Sequence, residues 1–364
     1  MKVIIIGAGV AGLAIAWRLA KTGAQVLVLD RAQPARGATY ASAGMIAATA
    51  EAGVAGSPQV QFGRRSRDLW PEFAKELEAA SGVEIAYRQD GALIVPASSD
   101  EAERLQRDAM GGQAEFLDPE QARRRAPMLS ADIAGALWAP LDAQVDNRAL
   151  GQALTNAAIR AGVKLSANEA AVRVEQSETG ELVVLTAFRI HRAEAVVLAA
   201  GAWSGQIGGL PADLPIRPVK GEMLALAAPA GEALPGPLLW GCGVYLVPRK
   251  DRVLVGATVE EAGFDTMPSG HARAWLLERA HALVPGLRHW PLREHWAGLR
   301  PASSDGLPII GESGTPGFFI AGGQYRNGIL FAPALAEVLT QLILKQKPAE
   351  EIAAFSPARF DQSP

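Results

Sequence analysis

Gly7, Gly9 and Gly12, with Asp30 eighteen residues further on, are the first residues in this chain of 364 whose types and spacing point to a chemistry. In a G-x-G-x-x-G turn the first glycine permits the bend, the second lets backbone amides approach a pyrophosphate, and the third lets helix and strand pack closely. An acid at the position of Asp30 accepts hydrogen bonds from ribose hydroxyls. Arg300 stands among Trp296, Leu299 and Pro301, and no motif or spacing singles it out. A planar guanidinium meets a carboxylate with two parallel hydrogen bonds, which lysine does not reproduce. Burying it without a partner is costly, so an anionic ligand is its natural complement. The structural alternative is that Arg300 caps a helix or pairs with an acid such as Asp305.

Elements must hold these residues in place. The β-branched run over 3–6 reads as a strand buried on both faces of a parallel sheet. Leu13, Ile15, Ala16, Leu19 and Ala20 then give a helix with a broad apolar surface, its dipole aimed at the phosphates, and Gly23 ends it. A second apolar strand over 26–29 stops at Asp30. Strand, glycine turn, helix, strand and acid together read as an adenine dinucleotide site. A secretory leader is the rival for an apolar stretch behind Met1 and Lys2, but Arg18, Lys21 and the glycines interrupt it.

Bulk properties narrow the function classes. Apolar residues make up 49% of the chain and charged residues 20%, an ordinary globular composition. A net charge of -3 favours neither nucleic acid nor an anionic membrane surface. No apolar stretch reaches the ~20 residues of a membrane span. The sole cysteine, Cys242, cannot form an internal disulfide, which fits a reducing cytoplasm. His191, His271, His281, His289 and His295 make no ligand pattern such as H-E-x-x-H, so no metal is expected. In GAWSG, Ser204 stands one place late for a nucleophile elbow, against a serine hydrolase. The cations at 123–125 read as a solvated helix face.

Along the chain, the glycine, alanine and serine stretch 35–53 suits close backbone approach to a flat ligand. Thr39 and Ser42 are its candidate donors to phosphate or ribose, and Ala43, Gly44 and Met45 its candidate ring-lining backbone. Helices are expected at 66–81, behind Ser98 and Glu101 at capping-box spacing, behind Asp118-Pro119, and through 161 behind Asp146 or Asn147. Strands are expected at 91–96, 171–174, 181–188 and 193–201, and an antiparallel set over 217–258. A helix at 270–284 precedes a stretch, 294–311, that is short of regular structure. Residues 317–323 repeat the strand-to-glycine theme before a long apolar helix, presenting a second set of amides to the same ligand. The fold class is α/β, a Rossmann-like domain of 1–82, 141–215 and 296–364, with an interleaved α+β, antiparallel-sheet domain of 83–140 and 216–295 for the substrate.

VIIIGAGVAGLAIAWRLA, SAGMI, VVLAAGAWS, RPVKGEML, YLVPRKDRVLVGAT, HWAGLRPASSDGLPIIG and GGQYRNGILFAPA together resemble the glycine/D-amino-acid oxidase family of flavoproteins over nearly the whole chain. The likeness is greatest to the bacterial glycine oxidases of thiamin biosynthesis. It implies FAD rather than NAD, with a small amino acid held above the flavin on the second domain's sheet. Arg300 matches the arginine that pairs with the substrate carboxylate, Tyr245 a tyrosine whose hydroxyl helps hold it, and Arg326 a further substrate-side arginine. Gly7, Gly9, Val10, Ala11, Gly12, Asp30 and Arg31 match flavin-binding positions, as do Ala38, Thr39, Ala43, Gly44 and Met45. Val172, Gly201 and the turn of Gln324, Tyr325, Arg326, Asn327, Gly328, Ile329 and Leu330 complete that set.

The implied reaction is two-electron oxidation of glycine, sarcosine or a small D-amino acid, hydride passing from the α-carbon to the flavin. Water hydrolyses the imine to oxo acid and ammonia, oxygen is reduced to hydrogen peroxide, and the imine feeds thiamin thiazole synthesis. No side-chain base is demanded provided the bound amine is neutral. The alternative within the family is a related amine oxidase or a D-amino-acid dehydrogenase that uses an acceptor other than oxygen. Outside it stand a nicotinamide enzyme and a non-catalytic dinucleotide module. Cys242 precedes WAGLRP, so the cysteine that carries covalent flavin in many sarcosine oxidases is absent. The resemblance also implies a homotetramer.

Overall fold

Ile4, Ile5 and Ile6 are enclosed because the strand Lys2–Ile6 lies inside a sheet, with Gln25–Leu29 and Ala195–Leu198 running parallel on either side. The computed structural model describes residues 1–51, 56–109, 113–209, 214–232, 236–348 and 352–360. Its six-stranded sheet runs Ile309–Glu312, Phe318–Gly322, Ala195–Leu198, Lys2–Ile6, Gln25–Leu29, Lys164–Ser166, and only the pairing of the first two is antiparallel. One face is covered by the helices Val10–Lys21, Pro58–Ser81, Asn147–Arg160 and Gly328–Ile343, whose apolar sides meet in a single core. The other face packs on a four-stranded sheet of Ile190–Ala193, Leu182–Thr186, Ala171–Gln176 and Gly208–Gly209. Among the described residues no helix is long and apolar enough to cross a membrane.

The local signals that set the helix ends are visible. Asp118 accepts from the amide of Gln121 while the Gln121 side chain accepts from the amide of Asp118. One helix earlier Ser98 accepts from the amide of Glu101, while the Glu101 carboxylate accepts from the amide of Ala97 rather than that of Ser98. Asp146 caps Asn147–Arg160 by accepting from the amides of Arg148 and Ala149. The helix expected at 66–81 begins earlier, at Pro58, because Ser57 caps it and proline suits the first turn. Its first turns carry Gln59, Gln61, Arg64 and Arg65, which weaken the apolar periodicity there.

The second sheet has eight strands in the order Leu292–Ser303, Ile216–Ala227, Arg252–Gly256, Val244–Pro248, Leu238–Gly241, Ala92–Ile94, Ala136–Ala139, Glu115–Leu117. All neighbours are antiparallel except Leu238–Gly241 with Ala92–Ile94. The stretch expected to be irregular is in fact the strand Leu292–Ser303, paired with Ile216–Ala227 from Ile216↔Ser303 to Leu226↔Leu292. It is an edge strand, so Pro301 can be accommodated without breaking a central ladder. Its glycine, proline and lack of alternation hid it, and the division expected between 295 and 296 falls inside it.

Arg249, from the second sheet, holds the stretch that follows Asp30. Its Nη2 donates to the carbonyls of Ala43 at 2.6 Å and Val145 at 2.7 Å, and Nη1 donates to Gln144. Met45–Ile46 pairs antiparallel with Ala143–Gln144 beside it. Burial pushes the guanidinium pKa down to about 10, so it stays charged at neutral pH. Arg249→Met would strand two buried carbonyls, each worth roughly 1–3 kcal/mol. We expect a loss of about 5–10 °C in Tm together with a fall in bound flavin, read by thermal melting and by the flavin absorbance of purified protein. An unchanged melt would remove Arg249 as the clamp.

Candidate active site

A cleft of 770 Å³ lies between the carboxyl ends of the parallel strands and one face of the eight-stranded sheet. At one end it is lined by Gly7, Gly9, Val10 and Ala11. Gly12 does not reach it. A β-carbon there would come 2.0 Å from the Gly7 carbonyl oxygen, so this glycine serves the packing of helix on strand. Helix Val10–Lys21 has no side-chain cap and no acid in its first turn, which leaves the positive end of its dipole to a ligand. Thr39 Oγ1 accepts from the amide of Val10 at 2.9 Å and keeps its own proton to donate. Ser42 instead spends its hydroxyl on the Thr39 carbonyl.

Asp30 lines the cleft and accepts from the amides of Ala8 at 2.6 Å and Ala32 at 2.8 Å. Burial raises its pKa, and those amide bonds oppose the rise. Each oxygen retains a lone pair for a ribose hydroxyl. Arg31 lies over the Trp203 ring, 4.4 Å from its centroid, and both border the cleft. Ala38, Ala43, Gly44 and Met45 form one wall, and Val172 and Gly201 stand in the lining as well. Trp203 is a further lining residue, outside the set of flavin-binding positions that the resemblance implies.

Gln324, Tyr325, Arg326, Gly328 and Ile329 also line the cleft, Gly328 close beside Val10, whereas Asn327 and Leu330 do not. Asn327 is the N-cap residue of helix Gly328–Ile343, its carbonyl accepting from the amide of Phe331. Leu330 belongs to the helical core, with its carbonyl taking the Trp70 indole N–H. This helix, too, has no side-chain cap and no acid in its first turn. Gln324 Nε2 and Arg326 Nε are buried without a hydrogen-bond partner among the described residues. Orphaned donors beside two uncapped helix ends fit a ligand rich in acceptors and phosphates, as FAD is.

The sheet face opposite carries the substrate-side residues. In register, Arg300 stands across from Val219, Gly298 from Gly221, and Trp296 from Met223, while Gly256 lies between Met223 and Tyr245. Arg300 crosses over Gly221, where a β-carbon would meet its Nη1 and Nη2 at 2.2 and 2.3 Å. Its Nη1 donates to the carbonyls of Thr258 at 3.0 Å and Lys220 at 3.3 Å. Asp305, the rival partner, is held by Arg359 instead. Tyr245 is buried, its hydroxyl 3.8 Å from Met223 Sδ, and burial raises its pKa so that it remains a donor at neutral pH. Arg300, Arg326 and Tyr245 line the same cleft.

Glu51 also lines it and was not anticipated. A lone acid at the end of a small-residue stretch carries no motif. Gly221 and Gly298 were missed as well, although a glycine inside a strand is a usable sign of close approach.

Residues 2–342 match the FAD dependent oxidoreductase family, DAO. The bifunctional protein ThiO/ThiG of Synechocystis sp. is 38% identical, over 98% of this chain and 54% of its own length. The chain thus spans about half the length of the first curated relatives it matches. Glycine oxidase of Geobacillus kaustophilus is 34% identical, over 98% of this chain and 96% of its own. A crystal structure of that enzyme superposes with a TM-score of 0.92, covering 97% of each chain. Iminodiacetate oxidase from Chelativorans sp. superposes with a TM-score of 0.86 at 28% identity, covering 98% of each. Glycine turn, paired helix N-termini and matching profile converge, and the chain belongs to the DAO family of FAD-dependent oxidoreductases.

Proposed function

We propose that this protein oxidises glycine and other small amino acids, sarcosine and small D-amino acids among them, to the oxo acid, ammonia and hydrogen peroxide. The observation that carries the reading is that Arg300, Arg326 and Tyr245 share one cleft with the dinucleotide turn. Similarity to a glycine oxidase over nearly the whole of both chains supports it. Similarity to bifunctional ThiO/ThiG proteins supports a role in supplying the imine for the thiazole of thiamin. The same proposal carries FAD binding by 1–82, 141–215 and 296–364, substrate binding by 83–140 and 216–295, and a homotetramer.

The roles of the residues follow from their chemistry. Arg300 has one edge tied to two carbonyls, which fixes the plane of its guanidinium and leaves its other donors for a carboxylate. The Tyr245 hydroxyl donates to the Met223 thioether, a weak acceptor, and faces Arg300, which only donates, so the substrate carboxylate is its better acceptor. With the acid end pinned, the α-carbon is held in one orientation, and positioning of this kind lowers the barrier without a covalent step. Bound FAD supplies the two-electron chemistry.

Two substitutions test the clamp. Arg300→Ala removes a bidentate charged pair, and we expect KM for glycine to rise by at least about 100-fold while the flavin spectrum of the purified protein is retained. Gly221→Ala puts a β-carbon under the guanidinium and displaces it, so KM rises in the same direction by about 10-fold, again with flavin kept. Unchanged steady-state kinetics in Arg300→Ala would take Arg300 out of the site. A third measurement concerns the acceptor: one peroxide is expected for each amino acid consumed in air. Turnover supported only by an artificial dye would make the enzyme a dehydrogenase.

A further inference from the structure

Two carboxylates lie near each other at the substrate end of the cleft, Glu51 in its lining and Asp142 buried behind it. Asp142 is fully enclosed, and both of its oxygens are taken by backbone amides, Thr49 on Oδ1 at 3.0 Å and Ala50 on Oδ2 at 2.8 Å. It serves to pin the turn that ends at Glu51. The Glu51 amide, in turn, donates to the Ala47 carbonyl at 3.1 Å. Glu51 itself lines the cleft, and its carboxylate makes no hydrogen bond among the described residues. The charged and titratable groups that face it are Arg300 from strand Leu292–Ser303, Arg326 from the turn before helix Gly328–Ile343, Tyr245 from strand Val244–Pro248, and Asp142 beneath it. A carboxylate on an anchored turn, with its oxygens free toward a ligand, is placed for work on that ligand rather than for holding the fold.

Given the amino-acid oxidase reading above, on which this inference rests, we propose that Glu51 accepts a proton from the ammonium group of the bound substrate, making it a catalytic residue of the cleft. An amino acid arrives mainly as the zwitterion, and loss of hydride from the α-carbon requires a free lone pair on nitrogen. The two guanidiniums that attract the carboxylate disfavour an ammonium beside them. One N–H bond breaks, its electrons remain on nitrogen, and an O–H bond forms on Glu51. FAD, when bound, would supply the two-electron oxidant that takes the hydride, and Glu51 would pass its proton to water once the oxidised product departs. Burial pushes the Glu51 pKa up to about 7, with Arg326 and Arg300 opposing the rise and Asp142 adding to it. A base poised near the working pH is the efficient choice for such a transfer.

The test uses FAD-loaded enzyme and two probes, acetate and glycine, which differ in the amine. Acetate binding is read by perturbation of the flavin spectrum. In the wild type its affinity should fall as pH rises through about 7, since ionised Glu51 repels a second carboxylate. In Glu51→Gln that dependence should vanish, with affinity held at its low-pH level. Anaerobic bleaching of the flavin by glycine should have the opposite slope in the wild type, rising through the same pH. Glu51→Gln should slow it by about 100-fold and remove the inflection. If Glu51→Gln does not retain flavin, Glu51→Asp replaces it, with slower bleaching and a retained inflection expected. Either variant behaving as wild type, or weakening acetate and glycine equally at every pH, overturns the inference. If the wild-type flavin is bleached by no glycine, sarcosine or small D-amino acid, the amino-acid oxidase reading itself falls, and this inference with it. Bleaching in the wild type with an unaltered Glu51→Gln overturns this inference alone.

Discussion

Arg300 lies across Gly221 of the neighbouring strand with its guanidinium in the space a side chain would fill, and a substrate clamp on this sheet face depends on that crossing. Register brings Gly221, Gly298 and Gly256 into one patch of the face, so the eight-stranded sheet is bare where it meets the stretch after Asp30. Gly298 lies against Ala41 and Gly256 against the Tyr245 ring, each with no room for a β-carbon. The Trp296 indole closes the seam by donating to the Ala41 carbonyl at 3.0 Å. A charged group held this way is costly to bury unless an anion completes it, which is why its chemistry and its packing point to the same ligand.

The electrostatics of the cleft are divided along its length. At the dinucleotide end the positive character comes from backbone, through two helix N-termini that carry neither caps nor acids. At the substrate end it comes from side chains, Arg300 and Arg326, offset by Glu51. Between them runs an almost uncharged wall of alanine, glycine and methionine, suited to a flat apolar ring system. Arg249 keeps that wall in place from behind, with its charge spent on main-chain carbonyls rather than on a ligand.

The dinucleotide unit was legible because its physics is local: strand, turn, helix and acid succeed one another within thirty residues and each has a compositional mark. The caps at Asp118 and Asp146 were legible for the same reason. Leu292–Ser303 was not, since what makes it a strand is its ladder with Ile216–Ala227, some eighty residues away, and not its own alternation. Glu51 and Trp203 were hidden because their roles depend on which segments the fold brings opposite them. Gly12, Asn327 and Leu330 were read with their neighbours as flavin-binding positions, and the cleft is lined by those neighbours and not by these three. Family resemblance supplied Tyr245, Arg300 and Arg326, which composition and periodicity alone would have left undistinguished.

The parallel sheet has a consequence for how the molecule is made. Its inner strand, Lys2–Ile6, is translated long before Ala195–Leu198 beside it, and Phe318–Gly322, on the far side of that neighbour, is translated later still. Until then the nascent chain carries an apolar edge with unsatisfied amides, the kind of surface that recruits other strands. Translation must therefore pass about residue 198 before Lys2–Ile6 acquires its parallel neighbour on that side, a delay set by the strand order itself.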